Sequence, residues 1–339
     1  MIVNLIEKLV QKQDLTFDES KSAMTLIMGG EATPSQFGSL ITALRMKGET
    51  VDEVSGMASV MRSMSLHVQT ENALIDTCGT GGDGFGTFNI STAAAFVAAG
   101  AGQKIAKHGN RAMSSKSGSA DVLEALGVNI QLLPDQISKC IEKTGFGFMF
   151  AQSFHPSMKY AAGPRREMGI RTVFNLLGPL TNPAGAARQI IGVSDPTVGA
   201  LMAEALGRLG SERALVVHGD DGLDEITIST SSTVWDLEAG HVKTYQIKPQ
   251  DFGFSISPLE HIKADNAVES AALIRTVLDG VRSPARDVVL LNAGASLFVA
   301  GMSDKFDECI SIGADAIDSG KAMKSLDDYI KLSNSIATE

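Results

Sequence analysis

Between residues 76 and 119 the chain sets glycines, hydroxyl side chains and bases at spacings that suit phosphate. Gly79, Gly81, Gly82, Gly84 and Gly86 are five glycines in eight residues, and Asp83 sits among them. Thr87, Asn89, Ile90, Ser91 and Thr92 follow directly. Glycine accepts φ > 0 and lets backbone N–H groups approach a ligand closely. A short strand over 74–77 that breaks into this loop, with a helix starting near Ile90, adds the free N–H groups and positive dipole of a helix N-terminus. That chemistry is anion binding. A second loop–helix junction follows at 110–119, with Ser114, Ser115, Ser117 and Ser119 beside Lys107, Arg111 and Lys116. One of these serines is expected to cap the helix over 120–126, which stops at Gly127. Four serines among three bases predict a second anion site, so the ligand should carry two separated phosphate groups.

Two familiar cradles compete with this reading. No Lys-Ser/Thr pair follows the glycines, which excludes the P-loop. Gly79-x-Gly81-x-x-Gly84 matches the dinucleotide fingerprint, a weak signal alone. That fingerprint also wants an acid about 20 residues on, where this chain has Lys107, His108 and Arg111 after a strand over 103–106. A basic reader of a 2′-phosphate keeps an NADP site open. The remaining chemical stretch is His218-Gly219-Asp220-Asp221-Gly222-Leu223-Asp224-Glu225, with four carboxylates in six positions. These repel unless solvated or shared with a cation. Hard oxygen ligands beside a phosphate site suggest Mg²⁺, and a solvated acidic turn is the other reading.

The elements that must position these loops fall into two kinds. Residues 1–66 read as helices only, with capping boxes Thr16/Glu19, Thr33/Gln36 and Thr50/Glu53, Pro34 at a first helical position, and Gly29 and Gly48 as stops. Met57, Val60, Met61 and Met64 make a core or interface stripe. From residue 74, strands expected over 74–77, 103–106, 128–132, 146–150, 188–193 and 213–218 alternate with helices. Such βαβ units build a mostly parallel sheet with ligands at the strand C-terminal ends. Alternation at Ile226 and Ile228, then at Val234 and Leu237, predicts antiparallel edge structure before helices resume. A helix over 164–176 interrupts this rhythm. With Pro164 at its first position, Arg165 and Arg166 fall in a turn whose dipole disfavours cations. One of them is therefore expected to serve a ligand, and a planar guanidinium suits a carboxylate.

The chain has 339 residues and a net charge of −10, enough for about two domains and contrary to a nucleic-acid surface. Against that balance the basic cluster Lys104, Lys107, Arg111, Lys116 stands out. Cys78, Cys140 and Cys309 are scattered, which fits neither a disulfide framework nor a zinc site. With no signal peptide and no apolar run of about 18 residues, a cytoplasmic protein without membrane contact is expected.

Four motifs in order, GTGGDGxxTFNIST, KHGNRAMSSKSGSADVLEALG, GPRREMGIRTVFNLLGPLTNP and HGxDGLDE, resemble the anthranilate phosphoribosyltransferase family nearly end to end. The resemblance implies transfer of the phosphoribosyl group of 5-phosphoribosyl 1-pyrophosphate to anthranilate, the second step of L-tryptophan biosynthesis. It implies an α/β fold of the nucleoside phosphorylase/phosphoribosyltransferase kind, with a mostly parallel sheet domain (74–163 and 184–339) and a smaller all-α domain (1–66, joined by about 164–183). It also implies a homodimer through the helical domain and two Mg²⁺ per subunit. Carried over position by position, phosphoribosyl pyrophosphate falls to Gly79, Gly82, Asp83, Thr87, Asn89, Ile90, Ser91, Thr92, Lys107, His108, Gly109, Asn110, Arg111, Ser114, Ser115 and Ser119. Anthranilate falls to Gly79, Asn110 and Arg165, and metal to Ser91, Asp224 and Glu225. No general base is assigned. Gly84-Phe85-Gly86 departs from the smaller, more polar loop usual in the family, and 229–241 matches it loosely. A pyrimidine-nucleoside phosphorylase and a binding protein without activity are the rival readings.

Overall fold

The structure, a computed structural model, describes residues 2–71, 73–112 and 117–336. Four helices come first: α1 (Ile2–Val10), α2 (Phe17–Met28), α3 (Pro34–Lys47) and α4 (Val51–Ser63). All three capping boxes are present, and Gly29 and Gly48 are the C-caps of α2 and α3. The alternating part follows as β1 (Leu74–Gly79), α5 (Ile90–Gly100), β2 (Lys104–Gly109), α6 (Ser119–Ala125), α7 (Pro134–Thr144) and β3 (Phe146–Phe150). Next come the short α8 (Ala151–Phe154), α9 (Lys159–Met168) and α10 (Val173–Leu177), then β4 (Arg188–Gly192), α11 (Gly199–Arg208) and β5 (Arg213–Gly219). The chain closes with β6 (Ser232–Glu238), β7 (His241–Ile247), α12 (Ala267–Leu278), α13 (Pro284–Val299), α14 (Phe306–Asp318) and α15 (Lys321–Ile336).

The strands form one sheet in the order β3-β2-β1-β4-β5-β6-β7, parallel through β5 and antiparallel at the β6–β7 edge. Chain order reverses between β1 and β4, so the loops leaving them part in opposite directions and open a crevice at the strand ends. Side chains alternate between two cores. Leu215 and Val217 join α5, α12 and α13 on one face, whereas Ala214 and Val216 join α11 on the other. The second core runs on without a break into α1 to α4.

Three expected elements differ. Residues 128–132 are not a strand: Val128, Ile130 and Leu132 are buried, but Asn129 N–H donates to Ser333 Oγ and Gln131 N–H to Asn129 Oδ1. Alternation there records burial without a ladder. Ile226 and Ile228 are buried for the same reason, and Asn292 both donates to Ile226 O and accepts from its N–H. The edge hairpin begins only at Ser232 and turns through Ala239 (φ 49°) and Gly240 (φ 80°). The single helix expected over 164–176 is two. α9 already holds Pro164 in its interior and ends at Gly169 in the left-handed region, φ 64°. Both helices pack on the first four. The Tyr160 ring covers Gly30, where a Cβ would lie 2.6 Å away, and Phe174 meets Phe37 at 5.5 Å between centroids.

Gly192 ends β4 against the backbone of the acidic turn, and a Cβ there would fall 1.6 Å from Asp224 O. Gly192→Ala must push that backbone away, an overpacking that costs about 1–3 kcal/mol. Calorimetry should find the melting temperature lowered by roughly 5 °C; an unchanged value would mean the turn yields freely.

Candidate active site

β1 delivers the glycine loop and β2 the serine loop, one strand apart. Asn89 caps α5, its Oδ1 accepting from Thr92 N–H at 3.0 Å, while its Nδ2 donates to Ser119 Oγ at 3.3 Å. One side chain thus joins the two predicted cradles. The cap of α6 is Gly118 and not a serine; Ser119 is its first helical residue. Ser114 and Ser115 lie outside the described residues. Beyond Gly86 the glycine loop is stitched to 262–264: Ala264 N–H donates to Gly86 O, Phe88 N–H to Ile262 O, and Thr87 bridges to Lys263.

The acidic turn reaches the same place from β5. Asp224 Oδ2 accepts from Gly81 N–H at 2.8 Å, across 143 residues of sequence. A Cβ on Gly79 would sit 2.8 Å from that oxygen, which explains glycine there. Burial, reinforced by Asp83, pushes the Asp224 carboxyl up to about 7. Burial and then Asp224 push Glu225 well above its ordinary range, and Lys107 opposes this. Asp220 and Asp221 take no part. Asp221 accepts from Leu223 N–H and Thr227 Oγ1 within the turn and the segment after it, and Asp220 accepts from Thr233 Oγ1 and Gln246, which pegs the turn to the hairpin. Phe85 packs over Gly222, where a Cβ would be 3.3 Å from its ring, which accounts for the bulky residue in the loop.

Lys107 is buried beneath the glycine loop. Its Nζ donates to Thr77 O, to Thr77 Oγ1 at 3.3 Å and to Ser91 Oγ at 3.1 Å. Arg111 turns outward to Asp121 and Glu124. Gly109 packs against the Phe148 ring, and Asn110 Oδ1 accepts from Arg111 N–H. His108 and His155 lie with ring centroids 5.1 Å apart, both buried. Burial lowers His108 to about 3, with His155 adding to the shift, and lowers His155 to about 4. Arg165 sits in the last turn of α9 with its guanidinium 5.0 Å over the Phe174 ring. The last turn favours a cation, so the dipole argument for a ligand fails. Among the described residues Arg165 forms no ion pair. Arg171, between α9 and α10, donates to Gly81 O at 3.1 Å.

Two family models cover nearly all of this chain: "Glycosyl transferase family, helical bundle domain" over residues 3–65 and "Glycosyl transferase family, a/b domain" over 71–323. Anthranilate phosphoribosyltransferase of Acetivibrio thermocellus is 52% identical over 336 residues, 99% of this chain and 97% of that protein. The chain belongs to the anthranilate phosphoribosyltransferase family. The enzyme from Thermus thermophilus superposes with TM-score 0.91 at 42% identity, covering 97% of this chain and 99% of that one. The Saccharomyces cerevisiae enzyme, solved in complex with PRPP and Mg, gives 0.90 at 29% identity with 98% of each chain covered. As a family member the chain is a glycosyltransferase that moves the phosphoribosyl group of phosphoribosyl pyrophosphate to anthranilate in tryptophan biosynthesis.

Sequence reasoning about this phosphoribosyltransferase missed several supporting residues. Asp76, buried at the base of β1, accepts from His108 N–H at 3.1 Å and so ties the two cradle strands. Asn292, a buried amide in α13, was not singled out. Arg171 lies in the third motif, within the expected 164–176 helix, but was given no role there, and Ser194 carried no local signal.

The buried histidines make stability depend on pH. Their folded values lie below the ordinary 6.5, so the unfolded chain binds more protons between about pH 6.5 and 4. Stability is fully present above that window and falls as pH drops through it, by on the order of 2 kcal/mol per histidine at pH 5. Urea titrations at pH 7 and 5 should show the loss, and His155→Gln should reduce it. A pH-independent difference between parent and variant would show that the imidazole is not buried neutral.

Proposed function

We propose that the residues gathered at the ends of β1, β2 and β5 carry the transfer by direct displacement at C1 of the ribose. The observation that carries this reading is the meeting of the glycine loop with the acidic turn through Gly81 and Asp224, alongside the Asn89–Ser119 link between the two cradles. Gly79, Gly82, Asp83, Thr87, Asn89, Ile90, Ser91, Thr92, Lys107, Asn110 and Ser119 hold phosphoribosyl pyrophosphate. Gly79, Asn110 and Arg165 hold anthranilate, and the Arg165 guanidinium, which forms no ion pair among the described residues, supplies the fork for its carboxylate.

The metal reading rests on charge. Asp224 and Glu225 are adjacent carboxylates whose pKa values are raised by burial and then by neighbouring carboxylates. Ser91 Oγ and these two acids are hard oxygen donors of the kind Mg²⁺ takes. Among the described residues no set of three or more His, Cys, Asp or Glu side chains is arranged to hold a metal ion by itself. That suits Mg²⁺, which keeps waters and substrate phosphates among its ligands. Bound there, as two ions per subunit, Mg²⁺ would neutralise charge developing on the leaving pyrophosphate.

The anthranilate amine lone pair forms the new bond to C1 as the bond to the pyrophosphate oxygen breaks. Pyrophosphate takes that electron pair, and the acidified ammonium proton passes to solvent. An aromatic amine is weakly basic, so no side chain is required to remove it. Positioning and electrostatics supply the acceleration. The reading includes a division into a helical domain (1–66 with about 164–183) and an α/β domain (74–163 and 184–339), a cytoplasmic location, and a homodimer. Exposed Val3, Val10 and Met46 on the helical part support that interface.

Mixing the protein with anthranilate, phosphoribosyl pyrophosphate and Mg²⁺ should extinguish anthranilate fluorescence; persistent fluorescence would overturn the reading. Asp224→Asn with Glu225→Gln should nearly abolish turnover while the melting temperature holds or rises, because lost metal stabilisation is worth several kcal/mol, roughly. Parent activity indifferent to chelator would remove the metal. Arg165→Ala should raise the anthranilate KM at least about tenfold, as expected for a lost charge-assisted hydrogen bond, and hardly change that for phosphoribosyl pyrophosphate. Equal loss for both substrates would make Arg165 a packing residue on Phe174.

A further inference from the structure

Gly81 is tied to three partners among the described residues. Its N–H donates to Asp224 Oδ2 at 2.8 Å, and its carbonyl oxygen accepts from Arg171 Nη1 at 3.1 Å and from Ser194 Oγ at 3.1 Å. Three distant segments therefore hold the two peptides that flank one residue: the acidic turn after β5 takes the Thr80–Gly81 N–H, and the loop after β4 and the link between α9 and α10 take the Gly81–Gly82 carbonyl. The next residue fits only because of this arrangement. Gly82 has φ +80°, and a Cβ there would lie 1.9 Å from Arg171 Nη1. The guanidinium stands in the place that a side chain would need. Beside it is a cavity of about 350 Å³, which Arg45, Glu49, Asn175 and Asp195 also line. Thr80, Gly82, Asp83 and Phe85 of the glycine loop line the same cavity, so there is open space next to the loop.

We infer that Arg171 is a positioning residue, a strut from the helical segment that holds the Gly81 and Gly82 peptides forward for phosphate. The inference deepens the reading above, on which it rests for the identity of the phosphate ligand. A charged donor on a carbonyl is among the stronger single hydrogen bonds, and the planar fork lies against the loop backbone where an ammonium would leave a gap. Asp224 and Ser194 tie Gly81 to the loops that leave β5 and β4. Arg171 adds the restraint from the helical side, so the loop registers where α9 and α10 sit. Phosphate affinity then depends on a residue that need not touch the phosphate.

The test compares Arg171→Ala, Arg171→Lys and the parent by amide hydrogen exchange of residues 79–89 without substrate, and by steady-state kinetics. In Arg171→Ala the Gly81 and Gly82 amides should exchange faster. The KM for phosphoribosyl pyrophosphate should rise about tenfold while that for anthranilate stays within about twofold, the loss of one charge-assisted hydrogen bond. Arg171→Lys should recover part of both effects, and added guanidinium at non-denaturing concentration should recover part of the alanine variant's KM. Exchange and KM equal to the parent would overturn the strut, as would an equal rise in both KM values with a lowered melting temperature. If the parent itself proved inactive, the proposed function would fall while the exchange result still decided for or against the strut.

Discussion

Asp224 reaches the ends of β1 and β4 because both strands finish in glycine. A Cβ at Gly79 would press on its carboxylate, and one at Gly192 would collide with its backbone oxygen. The two strands pair in register at those glycines, and β1 continues as Thr80 N–H donating to Gly192 O. This closeness lets the carboxylate accept from the loop N–H of Gly81. The same crowding, together with neighbouring carboxylates, raises the pKa values of the half-buried acids at 224 and 225. Burying a charge without a partner is costly, and Lys107 and the loop backbone offset part of that cost.

The phosphate side follows the same economy of groups. Asn89 caps α5 with its carbonyl oxygen and reaches the serine loop with its amide, so the helix N-terminus and the second cradle cannot move independently. Lys107 lies under both, bonded to Thr77 and Ser91. Its charge reaches the site from below, through a hydroxyl and a dipole, and a long flexible cation is held rigid by burial. Arg111, expected beside it, instead pairs with two acids of α6. Ion pairing along the helix surface competes with a phosphate for the same guanidinium.

α9 and α10 show how one local error spreads. Proline at a first helical position is a sound prior, but here a helical turn precedes it, and Gly169 stops the helix just after the two arginines. The dipole then favours the cations it was expected to oppose. What sets Arg165 apart is tertiary: its stacking on Phe174 and its lack of an acidic partner among the described residues. The true consequence of the break is the extended link that carries Arg171 to the glycine loop.

Motifs that act through their own backbone were legible in the chain itself. The capping boxes, the glycine loop ahead of Ile90, the parallel strands ending at the two cradles and the acidic run each depend on neighbours within a few residues. Alternating apolar residues at 128–132 and 226–228 misled because burial imposes the same period as a ladder, and only the partner of each N–H tells them apart. The tertiary structure alone decided which of four acids meets the glycine loop, that Lys107 turns inward while Arg111 turns outward, and that Arg171 and Ser194 grip Gly81. Those outcomes depend on contacts between residues about a hundred positions apart, such as Asp224 with Gly81. Local propensity and spacing carry no information about such contacts until the sheet order brings the strand ends together.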